Sequence, residues 1–120
     1  MNISDLNGEM LDYWTALADG MLPNSHIVHG DVWERNGSFA MRSTDWRPST
    51  DWAQGGPLIE KYKVGSGLEH NGKWYSEIDG YPSDSSCAEG DTPLQAICRA
   101  VVRYKFGEEI PDTTLALPKN

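Results

Sequence analysis

The chain has 120 residues, a length suited to a single domain whose one core needs no disulfide or metal staple. Asp and Glu number 18 against 10 Lys and Arg, a formal charge of −8, which excludes nucleic-acid binding by phosphate neutralisation, because that needs a basic face. The acidic balance is compatible with plain solubility or with a basic protein partner.

Five Trp, five Tyr and two Phe are many rings for so small a domain. A domain of this size rarely hides five indoles completely, so some should line a surface or pocket. The two cysteines, Cys87 and Cys98, have no CxxC or CxxH neighbour, and no zinc knuckle is expected. The opening from Met1 to Asp5 has neither a basic stretch nor an apolar one. No apolar run approaches the roughly 20 residues of a membrane span. A cytoplasmic protein without membrane contact is the expectation.

Along the chain, the first periodic segment is Gly8 to Asp19. Met10, Leu11, Trp14, Leu17 and Ala18 recur at helical spacing. Asn7 is placed to cap the start, Glu9 suits the positive end of the dipole, and Gly20 suits a left-handed stop. Glycines and Pro23 then punctuate short stretches. Asp31 to Glu34 and Ser38 to Met41 flank Arg35, Asn36 and Gly37, and an Asn-Gly pair between short runs predicts a tight hairpin. Leu58 to Val64 alternates, with Leu58, Tyr62 and Val64 on one face, and predicts a half-exposed strand. A second Asn-Gly, Asn71-Gly72, predicts a hairpin pairing Leu68 to His70 with Lys73 to Ile78.

Tyr81 to Gly90 has no periodicity and predicts a loop. Thr92 as cap and Pro93 at the first helical position open a second helix. Its stripe is Leu94, Ile97, Cys98, Val101 and Tyr104, and Gly107 and Pro111 end it. Arg99, Arg103 and Lys105 read as a solvated basic face of that helix. The expected architecture is α+β: one domain over 1–120 with a small, mainly antiparallel sheet, two amphipathic helices at about 8–19 and 93–106 on one face, and a loose tail at about 112–120.

The densest chemistry lies between Trp46 and Glu60. Thr-Asp-Trp occurs twice, six residues apart. Indole faces stack on planar rings or cations. Arg47 can grip a phosphate or carboxylate bidentately. Ser49, Thr50 and Asp51 can bind ribose-like hydroxyls or cap their own backbone. Gly55 and Gly56 let amides approach a ligand. The candidate ligand-binding residues are therefore Trp46, Arg47, Ser49, Thr50, Asp51, Trp52, Gln54, Gly55 and Gly56. The same residues also suit a turn with a capped helix start, a hydrophobic plug at Trp52-Ala53 and a Gly-Gly-Pro reversal into a strand. Both readings stay open at this point.

Other constellations are thinner. His26 and His29 with Asp31 have the residue types of a metal site, but plain surface or strand histidines suit the local sequence better, and no metal or cofactor is expected. Cys87 and the serines lack a flanking base signature, and there is no phosphate-cradling glycine loop, so no catalytic residue is assigned and the expected protein is not an enzyme.

The segment from Pro48 to Glu60, PSTDWAQGGPLIE, resembles the signature of the NinX-like family. These are small proteins of lambdoid and related enterobacterial phages and prophages, grouped as a domain of unknown function. Leu6 to Trp14 and the stretch from Asp91 to Glu109 resemble the family as well. The family supplies no catalytic residue to carry over. More faintly, Trp46 to Asp51 resembles the second family of phage Thoeris anti-defence proteins, small α+β oligomers that are similar to sponges for cyclic nucleotide signals. Ala53 to Gly56 departs from that pattern. Together the resemblances imply a phage accessory protein in the host cell cytoplasm. It would hold a nucleotide-like small molecule without turning it over, as a homo-oligomer with the ligand at a subunit interface. The alternative is an acidic inhibitor that binds a host defence protein or nuclease.

Overall fold

A computed structural model describes residues 1–28, 30–78 and 87–111. The element order is α1 (Gly8–Ala18), β1 (Leu22–His26), β2 (Gly30–Arg35), β3 (Ser38–Arg42), α2 (Trp52–Tyr62), β4 (Val64–Leu68), β5 (Trp74–Ile78), β6 (Cys87–Gly90) and α3 (Pro93–Phe106). The fold is α+β, as the sequence implies. Its strands form two three-stranded antiparallel sheets, β1-β2-β3 and β4-β5-β6, and a third helix joins the two expected ones.

The local signals explain most of this. Helix α1 ends in a Schellman arrangement: Met21 N–H reaches the Ala16 carbonyl at 2.9 Å and Gly20 N–H that of Leu17 at 3.1 Å. Gly20 takes the positive φ of 89° that this stop requires. Asn7 stands at the cap position, but its side chain makes no cap hydrogen bond; it turns back to the Asp5 carbonyl instead. Asn36 and Gly37 both have positive φ and close the β2–β3 hairpin with Arg35 opposite Ser38. The second hairpin also forms, pairing Leu68 with Trp74, but its first strand begins earlier, at Val64.

The largest correction lies at residues 58–64. They are not a strand: α2 runs through Gly55, Gly56 and Pro57 to Tyr62, and Lys63 ends it in a left-handed conformation. Leu58 and Tyr62 lie four apart, a spacing that serves a helix face as well as an alternating strand. Glycine and proline are poor helix formers, so tertiary contact must hold this helix. Leu58 is buried, and Ile59 and Tyr62 pack against the core. Proline removes the donor that would serve the Ala53 carbonyl, and Ala53 is exposed, where water can take that role. Two short strands also lacked a sequence signal. Strand β1 is exposed from Leu22 to Ser25. Strand β6 begins at Cys87, where the sequence predicts loop; residues 81–86 of that loop and the tail at 112–120 lie outside the described residues.

The core centres on α3. Ile97, Cys98, Val101 and Val102 are fully buried together with Leu6, Leu11 and Met21. Burial pushes the Cys98 thiol up to about 12, so it serves as a small apolar filler. Of the predicted solvated basic face, Lys105 is exposed, but the two arginines are otherwise occupied. Arg99 donates to the carbonyls of Leu6 and Glu89 at 2.8 and 2.9 Å, and Arg103 to that of Cys87 at 2.9 Å. These guanidinium groups tie the N-terminal segment and β6 to α3.

Candidate functional site

The segment that follows β3 folds onto α1. Arg42 leads into a single 3-10 turn, Ser43–Asp45. Trp46 then turns inward, 8% exposed, and its indole Nε1 donates to the Asp12 carbonyl at 2.8 Å. Pro48 and Ser49 are also buried, and the Ser49 N–H donates to the Asp12 carboxylate at 2.9 Å. Burial pushes the Asp12 carboxyl above its ordinary pKa of 3.8; the Ser49 hydrogen bonds and the nearby Arg47 charge pull the other way without cancelling the rise.

Beyond Ser49, three of the candidate residues, Asp51, Gln54 and Gly55, have evident structural roles. The Asp51 carboxylate caps α2 by accepting the Ala53 N–H at 2.9 Å. Gln54 reaches back, accepting from the Arg47 N–H and donating to the Asp45 carbonyl. Gly55 is buried against the Pro48 carbonyl and Leu94; a Cβ there would lie 2.6 Å from Leu94 Cδ2. Gly56 faces open space. Thr50 and Trp52 point outward, Trp52 with 56% of its surface exposed. The structure therefore divides the nine residues: Trp46 and Arg47 lie on one side of the segment, and Thr50 and Trp52 face solvent elsewhere.

Trp46 and Arg47 line a cleft of about 390 Å³. Glu9, Asp12 and Tyr13 of α1 form one wall. Pro23, Asn24, Asp31, Val32 and Trp33 of the β1–β2 hairpin form the facing wall, and Ser43 and Thr44 close the rim. Tyr13, Trp33 and Trp46 are each at least nine-tenths buried, and the Tyr13 and Trp33 rings pack 5.4 Å apart, so the aromatic walls are held in place. Asp31 accepts from the Ser25 hydroxyl at 3.0 Å, and Asn24 donates to Glu34 at 2.8 Å. Arg47 differs: among the described residues its guanidinium forms no hydrogen bond or ion pair. A rigid apolar lining with a few converging polar groups is the usual build of a small-molecule site.

Sequence reasoning found Trp46 and Arg47 but missed the rest of this cleft. Asp12 sits in the polar gap of an amphipathic helix, where it looks like a solvated position. The hairpin wall needed knowledge of β1. His26 belongs to β1 and His29 lies outside the described residues; no group of metal-ligating side chains is found among the described residues. No helix among them is long and apolar enough to cross a membrane.

A second hollow of about 400 Å³ lies between α3 and the β4-β5-β6 sheet. Its arginines are occupied by the backbone bonds described above. The neighbouring Glu89 carboxyl raises the Glu69 carboxyl above its ordinary value there.

None of the curated proteins compared with the chain matches it, and the comparisons lend no support to the fainter Thoeris resemblance. The family described as "Bacteriophage P22, NinX" matches residues 2–105, which takes in every element from α1 to the last turn of α3. The chain therefore belongs to the NinX family of bacteriophage P22.

Proposed function

We propose that this phage protein is a non-enzymatic binding module for a nucleotide-like small molecule, and that the cleft between α1 and the β1–β2 hairpin is its seat. The observation that carries this reading is the Arg47 guanidinium, which has no bond among the described residues and lies on a cleft walled by three fixed aromatic side chains. Planar guanidinium donors match a phosphate or carboxylate, and aromatic walls suit a heterocycle. An anti-defence role, in which a host signal is held and not turned over, is consistent with such a module. Calorimetry of the purified protein against a panel of nucleosides and nucleotides tests the reading. Binding of at least one member, weakened about tenfold or more by Arg47→Ala, is expected. Absence of heat and of thermal shift across the panel would overturn it.

A second reading is that of an acidic inhibitor of a host protein. It is favoured by the charge of −8 and by the exposed turn after β1, where Ile27 and Val28 are 103% and 79% exposed. Recovery of one stoichiometric host protein, released by salt and lost on Ile27→Ser, would support it.

A further inference from the structure

The charges of the cleft specify its ligand more narrowly than its shape does. Among the described residues its lining holds three carboxylates, Glu9, Asp12 and Asp31, and one cation, Arg47. Ionised carboxylates only accept hydrogen bonds, so the site is rich in acceptors and poor in groups that tolerate anions. Asp12 is central to this. It is 7% exposed and lines the cleft. Its Oδ1 is held by the Ser49 N–H at 2.9 Å, which fixes the orientation of the carboxyl group.

We infer that the ligand offers Asp12 the adjacent N–H donors of an amidine-like base edge, as guanine does, and carries no more than one phosphate, held by Arg47. This rests on the reading of the cleft as a nucleotide-like site. A guanine edge places two N–H donors side by side and pairs with one carboxylate in bidentate fashion, whereas adenine offers a single amino group. One guanidinium grips one phosphate group through paired N–H donors. Each further phosphate charge is set against Glu9 and Asp31, with no second cation among the described residues of the lining. Burial disfavours the charged carboxylate of Asp12, and a donor edge that pairs with both of its oxygens stabilises that charged form.

The experiment compares guanosine, guanosine monophosphate, guanosine triphosphate, adenosine monophosphate and cytidine monophosphate by calorimetry, on the wild type, Asp12→Asn and Arg47→Ala. The monophosphate of guanosine should bind best. The triphosphate and adenosine monophosphate should each be weaker by about tenfold or more. Asp12→Asn keeps an Oδ1 acceptor for the Ser49 N–H and so retains the loop. It should lose about tenfold or more for the guanine ligands and little for the others. Arg47→Ala should weaken guanosine monophosphate and leave guanosine unchanged. If triphosphates bind best, or adenine and guanine bind alike, the inference fails while the nucleotide reading stands. If nothing in the panel binds, both fail together.

Discussion

Asp12 holds Trp46 and Ser49 at once: its backbone carbonyl accepts the Trp46 indole N–H at 2.8 Å, and its carboxylate accepts the Ser49 N–H at 2.9 Å. One residue of α1 thus pins both ends of a four-residue stretch that includes Arg47 and Pro48. The α1 wall of the cleft and the anchor of the segment before α2 are one structure, which is why a change in Asp12 should be felt in both.

The pH dependence of that anchor follows from its burial. The folded-state pKa of Asp12 is raised above 3.8, so between the ordinary value and the raised one the folded protein binds more protons than the unfolded chain. The contribution of this group to stability is greatest at low pH and declines as pH rises through that window. Asp12→Asn cannot titrate. Its stability relative to wild type should improve as the pH is raised from about 4 to about 7. Urea unfolding at stepped pH checks this; a wild type that gains on the variant over the same range would show that the charged form is favoured.

Asp19, at the other end of α1, behaves in the opposite sense. It is 8% exposed and accepts from Arg35 at 2.9 Å and from Lys61 and Tyr62 at 2.6 Å each. Burial pushes its carboxyl up, but the bonds from Lys61, Tyr62 and Arg35 together hold it below its ordinary value. Its stabilisation is present above pH 3.8 and is lost as pH falls through the folded-state pKa. Asp19→Ala should cost about 2 to 3 kcal/mol near neutral pH, less than a fully buried pair because Arg35 and Lys61 keep part of their hydration. Burial and Asp19 also raise the Tyr62 hydroxyl pKa well above 10. The same variant should therefore bring the phenol absorbance titration of Tyr62 down toward an ordinary tyrosine. An unchanged titration would mean that burial alone sets it.

Much of the fold was legible because local signals and tertiary packing agree. Thr92, Pro93 and Gly107 bound α3, Gly20 stops α1, and Asn36-Gly37 turns the first hairpin. Helix α2 was hidden because its middle, Gly55-Gly56-Pro57, carries breaker residues whose reason is spatial: the first glycine is a contact surface for Pro48 and Leu94. The cleft was half legible for a similar reason. Trp46 and Arg47 stand in a conspicuous motif, while Asp12, Tyr13 and Trp33 reach the same space from elements distant in sequence, and no local pattern joins them.

Gly55 offers a direct check of that packing. A Cβ there would press on the Pro48 carbonyl and lie 2.6 Å from Leu94 Cδ2 and 3.4 Å from the Pro48 carbonyl carbon. Alanine is the better helix former by about 1 kcal/mol, so propensity alone predicts stabilisation. Contact with backbone is not relieved by a rotamer change, and overpacking of this kind costs about 1 to 3 kcal/mol. Gly55→Ala should lower the unfolding midpoint, whereas Gly56→Ala, facing open space, should hold or raise it. Equal midpoints for the two variants would contradict the close approach.

The cap residue Asp51 separates a scaffold role from ligand contact. Its carboxylate serves the Ala53 N–H at 2.9 Å, as the Thr92 hydroxyl serves the Gln95 N–H at 3.1 Å at the start of α3. Each should cost about 1 kcal/mol on replacement by alanine, and Asp51→Asn should be nearly neutral because asparagine caps as well as aspartate. Asp51 and Trp52 are not among the residues lining the cleft. Asp51→Ala and Trp52→Ala should thus leave the affinity of the guanosine monophosphate probe within about twofold of wild type at a temperature where all variants are folded, while Arg47→Ala weakens it. A large loss of affinity in Trp52→Ala with an unchanged unfolding midpoint would move the binding surface from the cleft to the exposed start of α2.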